Sequence, residues 1–391
     1  MKKILLFANT DWYLYNFRRS LALALQAAGY EVLLVSPPGE YGARLRALGL
    51  RWRPLQMDRR SINPLREAAL LLRLTRLLRR ERPALIHNFT IKSAAYGSLA
   101  ARLARVRARI NAVDGLGYVF ASSDRKARLL RPVVRAMLRS ALRGRAARLV
   151  LQNPDDQAAF VKFKLAEARC VDLIPGAGVD CTRFAPRIAQ RRATNNDSND
   201  SQPCVLLAAR LLWEKGIAEY AQAAQTLQAQ GRKVRFLLAG MPDPGNPAAV
   251  PEATLREWVN QGVFEWLGHV GDMSALYASV DIVVLPSYYR EGLPTSLTEA
   301  AACGLPLVTT DMPGCREVVT DEVDGLLIPP RDSGALARAI ARLLDSRPLA
   351  ARLGEAARAK VLAKFDERIV IRRTLEIYRE LLTGAKVKPA V

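Results

Sequence analysis

Short apolar runs alternate with helix-period segments along most of the chain. Ile4–Ala8, Glu31–Ser36, Ala84–Asn88, Ala108–Val113 and Leu149–Gln152 are runs of four to six residues. Between them, Asn16–Ala28, Gly42–Leu48 and Ala94–Arg105 repeat apolar positions at helical steps. That rhythm predicts strands joined by helical crossovers, hence a parallel sheet. The strands are apolar throughout instead of alternating, as a sheet covered on both faces requires.

The rhythm stops and then resumes. A Leu173-Ile174-Pro175-Gly176 turn closes the first half, and Arg191 to Pro203 is a polar run without apolar anchors, read as a linker or surface loop. A second set of strands follows at Cys204–Ala209, Val234–Ala239, Phe264–Leu267, Ile282–Pro286, Pro306–Thr309 and Leu326–Ile328. After Pro348 the pattern is helical to Leu382, and a terminal helix of that length can cross back onto the first half. The expected division is a basic first domain over 1–180, a polar linker over 191–203, a second domain over 204–365 and a returning helix over 366–391.

Composition narrows the class. The 391 residues are 50% hydrophobic and 25% charged, which fits a globular chain with enough length for two or three cores. No run of about 18 uncharged apolar residues occurs, and Met1–Ala8 stops at Asn9-Thr10-Asp11, so it reads as a buried strand and not a signal peptide. Five widely spaced cysteines without a Cys-x-x-Cys pair point to a reducing compartment, so a cytoplasmic protein is expected. The two histidines, His87 and His269, are too far apart in sequence to suggest a metal site or a triad, and His87 reads as a buried structural residue.

Charge changes the picture more. The formal net charge is +22, and residues 1–180 hold 33 basic against 13 acidic side chains, whereas the remaining 211 hold 26 against 24. Such a field attracts nucleic acid, an anionic membrane or a phosphate-bearing substrate. From Leu65 to Arg82, Leu70, Leu74, Leu77 and Leu78 recur beside Arg66, Arg73, Arg76 and Arg80. From Leu129 to Leu149, Val134, Met137, Leu138 and Ala141 accompany Arg131, Arg135, Arg139 and Arg143. Both read as basic amphipathic helices, suited either to anionic headgroups or simply to solvent. Nucleic acid is disfavoured, because aromatics are 7% and none interleave with the arginine runs.

Two segments carry candidate chemistry. Leu207–Gly216 delivers Arg210 at the end of a strand and Lys215 soon after, two cations able to clamp a diphosphate or simply to stand on the surface. Pro286–Pro306 passes from a strand through a loop into a helix. Gly292 permits close backbone approach there, and the free N–H groups around Thr295–Thr298 can cradle phosphate. Glu299, one turn inside the helix, can accept two hydrogen bonds from vicinal hydroxyls, while Glu291 stands at its mouth. Either glutamate could equally be a capping or salt-bridge residue.

Arg210 with Glu214-Lys215-Gly216, then Leu238-Ala239-Gly240, then Glu291 and Glu299 with seven residues between them and Ala302-Cys303-Gly304-Leu305-Pro306 after, resembles the family-4 retaining nucleotide-sugar glycosyltransferases. Asn9–Tyr13 and Asn111–Phe120 are similar to the subgroup that extends polyprenyl-diphosphate-linked sugars. The resemblance implies a GT-B fold, an α/β architecture of two Rossmann-like, doubly wound parallel-sheet domains facing a cleft. It implies that Arg210 and Lys215 hold the donor diphosphate, that Glu299 binds the ribose, and that Glu291 with the backbone of Gly292, Leu293, Pro294 and Thr295 addresses the donor sugar. Gly240 belongs to the same donor-binding set, and Asp114, opening a Gly-rich turn, either contacts substrate hydroxyls or stabilises the turn.

No Asp-x-Asp occurs, and the resemblance implies charge compensation by cations without a metal or other cofactor. Gly292-Leu293-Pro294 replaces a Gly-Phe-Gly common in relatives, and Asn9–Tyr13 lacks their glycine pair. The expected enzyme moves an N-acetylhexosamine from a UDP-sugar to a lipid-linked saccharide with retention. It would sit on the anionic inner face of the cell membrane through its basic helices. The alternatives are a UDP-sugar 2-epimerase of the same fold and a basic nucleic-acid-binding protein.

Overall fold

The computed structural model describes residues 1–58, 61, 63–113, 125–142, 144, 146–186 and 202–384. Asp114, the Gly-rich turn after it and residues 191–201 of the expected linker lie outside the described residues. The chain forms two compact units, Met1–Gly178 with Glu367–Val391, and Val179–Asp366.

In the first unit, strands β1 (Lys3–Phe7), β2 (Glu31–Ser36), β3 (Arg51–Pro54), β4 (Leu85–Phe89), β5 (Ala108–Ala112), β6 (Ala147–Leu151) and β7 (Val171–Leu173) form one sheet. Its order is β3-β2-β1-β4-β5-β6-β7, and every pairing is parallel. β4 and β5 are buried along their full length, which is why their sequences need not alternate. Helices cover both faces. Leu70, Leu74, Leu77 and Leu78 of the helix Pro64–Glu81 pack beneath one face with Leu5, Phe7 and Ile86. On the other, Val370, Ile377 and Tyr378 of the terminal helix Glu367–Thr383 join Ile4, Leu6 and Ile110. His87 Nδ1 lies 2.7 Å from Tyr378 Oη, so this buried histidine ties β4 to the chain's last described helix.

Local chemistry explains the boundaries. Asn63 accepts from the N–H groups of Leu65 and Arg66, Pro64 takes the first helical position, and Arg82 ends the helix in the left-handed region ahead of Pro83. The second basic helix differs from the expected span. It runs over Arg125–Leu142, with Gly144 at φ 119° beyond it, and Leu149 already pairs with Asn111 of β5. The arginine spacing continues through this break, but Leu149-Val150-Leu151 gain a sheet partner that a continued helix would deny them. The edge strands β3 and β7 have no counterpart among the expected elements. Arg51-Trp52-Arg53-Pro54 is partly exposed and charged, as suits an edge.

The second unit repeats the winding with β8 (Cys204–Ala208), β9 (Arg235–Ala239), β10 (Glu265–Gly268), β11 (Ile282–Leu285), β12 (Leu307–Thr310) and β13 (Leu326–Ile328). The order is β10-β9-β8-β11-β12-β13, again parallel. Helices Ile217–Ala229 and Ser333–Asp345 share one core with the sheet, and Thr295–Ala302 and Arg347–Lys364 share the other. Among the described residues, no helix is long and apolar enough to cross a membrane.

Candidate active site

In a doubly wound sheet the strand order reverses direction between two neighbours, and the loops leaving their carboxyl ends diverge to opposite faces. In the second unit those neighbours are β8 and β11. The loop after β8 contains Arg210 and a short turn, Trp213–Lys215, that ends at Gly216. The loop after β11 runs from Pro286 to Pro294 and enters the helix Thr295–Ala302.

Gly216 sets how closely the loops approach. Its φ is 78°, and a Cβ there would stand 2.2 Å from the carbonyl oxygen of Pro286. Gly216→Ala is therefore expected to cost about 3 kcal/mol from left-handed strain and backbone collision together. Thermal unfolding should report the loss, and an unaltered melting temperature would contradict it.

This approach brings Lys215 and Glu291 together. Lys215 Nζ is ion-paired with Glu291 Oε1, and the two side chains are 11% and 10% exposed. Ser287 Oγ lies 2.8 Å from the same carboxylate oxygen and 3.1 Å from the Glu214 carbonyl, so its single proton serves one or the other. Glu291 N–H donates to the Pro313 carbonyl at 3.2 Å. Behind this turn, Gly314 at φ 84° avoids a clash, since a Cβ would lie 2.3 Å from Gly292 O. Burial pushes the neighbouring Cys315 thiol up to about 12, with the Glu291 carboxylate adding to the effect.

Glu299 occupies a second corner. The helix Thr295–Ala302 begins after Pro294 without a side-chain cap, and Glu299 lies one turn in. Tyr277 Oη is 3.3 Å from Glu299 Oε2 and 3.1 Å from Ser296 O. Burial raises the Glu299 carboxyl to about 7, opposed by the charge of Arg183 and by the Tyr277 hydroxyl. Arg210 is placed differently. Its side chain is 63% exposed and sits 3.5 Å from Asp243, apart from the Lys215–Glu291 pair. Gly240, at the end of β9, has φ 141°, and a Cβ there would fall 1.8 Å from Ala209 O, next to Arg210.

Thus Lys215 and Glu291 meet, Gly292, Leu293, Pro294, Thr295 and Glu299 form one loop and helix start, and Arg210 is held by Asp243. Sequence reasoning missed Ser287, Tyr277, Arg183 and Asp243 as partners. Only Ser287, immediately beyond a strand end, carried a positional signal. Among the described residues, no group of three His, Cys, Asp or Glu side chains is arranged to hold a metal ion.

The first unit has its reversal between β1 and β4. After β1, Thr10 Oγ1 accepts from Tyr13 N–H, and buried Asp11 accepts from the N–H groups of Trp12, Tyr41 and Gly42 at 2.8–2.9 Å. Asp11 is thereby structural, whereas Trp12 is 42% exposed. After β4, Thr90 adopts φ 75°, ψ 157°, a costly conformation for a residue with a side chain. Its N–H donates to the Ala112 carbonyl at 3.0 Å.

Two doubly wound parallel sheets make up the α/β architecture of the GT-B fold, and the second carries a buried cation–carboxylate pair at its point of reversal. Residues 3–153 match the family model "Glycosyl transferase 4-like", and residues 190–360 match "Glycosyl transferases group 1". The chain belongs to this glycosyltransferase family and is a hexosyltransferase. It is 30% identical over 373 residues to the N,N'-diacetylbacillosaminyl-diphospho-undecaprenol alpha-1,3-N-acetylgalactosaminyltransferase of Campylobacter jejuni, covering 94% of this chain and 96% of that one. It is 26% identical over 294 residues to the UDP-Gal:alpha-D-GlcNAc-diphosphoundecaprenol alpha-1,3-galactosyltransferase of Escherichia coli, covering 74% of each. The crystal structure of HepE from Anabaena in complex with UDP superposes with a TM-score of 0.77 at 21% identity, over 97% of this chain and 100% of that one.

Proposed function

We propose that this enzyme transfers an N-acetylhexosamine from a UDP-sugar to a polyprenyl-diphosphate-linked saccharide, with retention, at the inner face of the cell membrane. The near full-length similarity to an undecaprenol-linked N-acetylgalactosaminyltransferase carries this reading. The bond between the sugar's C1 and the diphosphate breaks, and the electron pair leaves on the diphosphate. An acceptor hydroxyl forms the new C1–O bond on the same face and gives up its proton to the departing diphosphate. Lys215 and Arg210 meet the charge that develops on the leaving diphosphate, Glu291 and the backbone of Gly292–Thr295 hold the sugar, and Glu299 takes the ribose hydroxyls.

The experiment is incubation of a UDP-N-acetylhexosamine with and without an undecaprenyl-diphosphate-linked saccharide. A lipid-linked product one N-acetylhexosamine longer is expected. Epimerised donor formed without acceptor, or no incorporation from any UDP-sugar, would overturn the proposal.

The raised Glu299 carboxyl gives a second expectation. The ionised form accepts hydrogen bonds from both ribose hydroxyls, and the protonated form predominates below about pH 7. Affinity for an intact UDP-sugar, whose diphosphate does not titrate here, should rise roughly tenfold between about pH 6 and about pH 8. Calorimetry on Glu299→Gln should give weaker binding without that slope, and a slope that survives the substitution would exclude Glu299 as its source.

Membrane attachment is assigned to the helix Pro64–Glu81. Arg73, Arg76, Arg79 and Arg80 are exposed along it, and Leu65 and Leu72 are 81% and 55% exposed. Apolar tips among arginines suit an anionic headgroup layer. On the second basic helix the Arg135 guanidinium donates to the Phe163 carbonyl at 2.7 and 3.1 Å, much as Arg73 and Arg79 of the first donate to the Ala69 and Leu103 carbonyls at 3.2 Å.

A further inference from the structure

The first unit carries a groove of about 1010 Å³ that the transfer reaction does not use. It lies at the amino ends of β5, β6 and β7, where Arg107, Ala146 and Arg169 lead into the strands. Substrates of doubly wound sheets bind at the carboxyl ends, so this is the opposite end of the sheet from Asn9–Tyr13 and Thr90.

Five cations line the groove, Arg107, Arg139, Arg148, Lys164 and Arg169, against the carboxylates Glu167 and Glu380. Those carboxylates are committed, since Glu380 pairs with Arg148 at 3.4 Å and Glu167 with Arg169 at 2.6 Å. Among the described residues, no ion pair or hydrogen bond engages the side chain of Arg107, Arg139 or Lys164. Three uncompensated cations therefore face one concavity whose remaining wall is apolar, with Leu142, Val161, Leu165 and Leu381. Five cations against two carboxylates leave the lining with an excess of positive charge, and that field favours an anion in the groove. Two planar guanidinium forks and one ammonium suit the tetrahedral oxygens of phosphate better than a single carboxylate.

We propose that this groove is a second anion site, binding a phosphate or diphosphate group through Arg107, Arg139 and Lys164. The group belongs either to a lipid headgroup or to a soluble phosphate compound, and the two sources are separable. Calorimetry on the full chain in a Lys215→Ala background, which removes the donor-side cation, uses inorganic pyrophosphate as the probe. Flotation with phosphatidylcholine vesicles carrying phosphatidic acid forms the second arm.

Arg139→Ala/Lys164→Ala is expected to weaken at least one probe about tenfold, and Arg139→Lys/Lys164→Arg to restore it. Loss of pyrophosphate binding alone identifies a soluble ligand, and loss of vesicle binding alone, or with it, identifies a headgroup. Lys233→Ala/Arg338→Ala removes equal charge from the other unit and should change neither. The proposal fails if neither probe binds the parent, if the groove variant binds both unchanged, or if the control variant loses binding equally.

Discussion

Lys215→Ala is expected to lower kcat by about 10³-fold, the scale seen when a preorganised group facing transition-state charge is removed. The side chain is nearly buried and already desolvated beside Glu291, so its charge is little screened by water. Truncation has a second effect, because it leaves the Glu291 carboxylate buried without its cation. That costs about 3 kcal/mol of stability, which could be mistaken for the cause of lost activity. Lys215→Ala/Glu291→Gln separates the two. Removing both charges should restore most of the thermal stability, with Ser287 still available to the new amide, yet leave transfer slower than in Glu291→Gln alone, the reference that accounts for the loss of Glu291 at the sugar. A double variant that regained activity along with stability would assign Lys215 a purely structural role. A single variant within tenfold of the parent would remove it from the transfer step altogether.

The sequence reveals elements well where burial is complete on both sides. β2 coincides with its apolar run, Glu31–Ser36, and β8 begins with its own at Cys204, because interior strands covered on both faces cannot disguise themselves. β3 and β7 leave no such trace, since these short edge strands carry Arg51, Arg53 and Asp172 in place of a continuous apolar run. The helix Arg125–Leu142 ends where Gly144 breaks it, although the arginine period runs on regardless. At the site, residue types were legible and partnerships were not. Lys215 and Glu291 stand 76 residues apart, and only the adjacency of β8 and β11 makes them a pair. Tyr277 precedes Glu299 by 22 residues on a different helix, so the hydroxyl at that carboxylate follows from packing alone. Arg210 and Asp243 meet for the same reason, through the β8–β9 neighbourhood that Gly240 keeps close.

Arg73→Glu/Arg76→Glu/Arg80→Glu is expected to reduce partitioning onto phosphatidylglycerol-containing vesicles by at least about 10²-fold. Each juxtamembrane cation contributes about 1 kcal/mol, so neutralising three removes about 3 kcal/mol, and reversal adds repulsion of the same sign. The substitutions fall on the solvent side of a helix whose buried face is Leu70, Leu74, Leu77 and Leu78, so folding should be spared. Affinity for a UDP-sugar should be unchanged, because the residues proposed to hold the donor belong to the other unit. Salt supplies an independent check. Raising ionic strength shortens the Debye length below about 10 Å and should weaken the parent far more than the variant. Leu65→Ser/Leu72→Ser removes apolar surface without altering charge, and its loss of partitioning should persist at high salt. Unchanged partitioning in the arginine variant would mean that this helix merely faces solvent, and the excess charge of the first 180 residues would then need another anion to answer it.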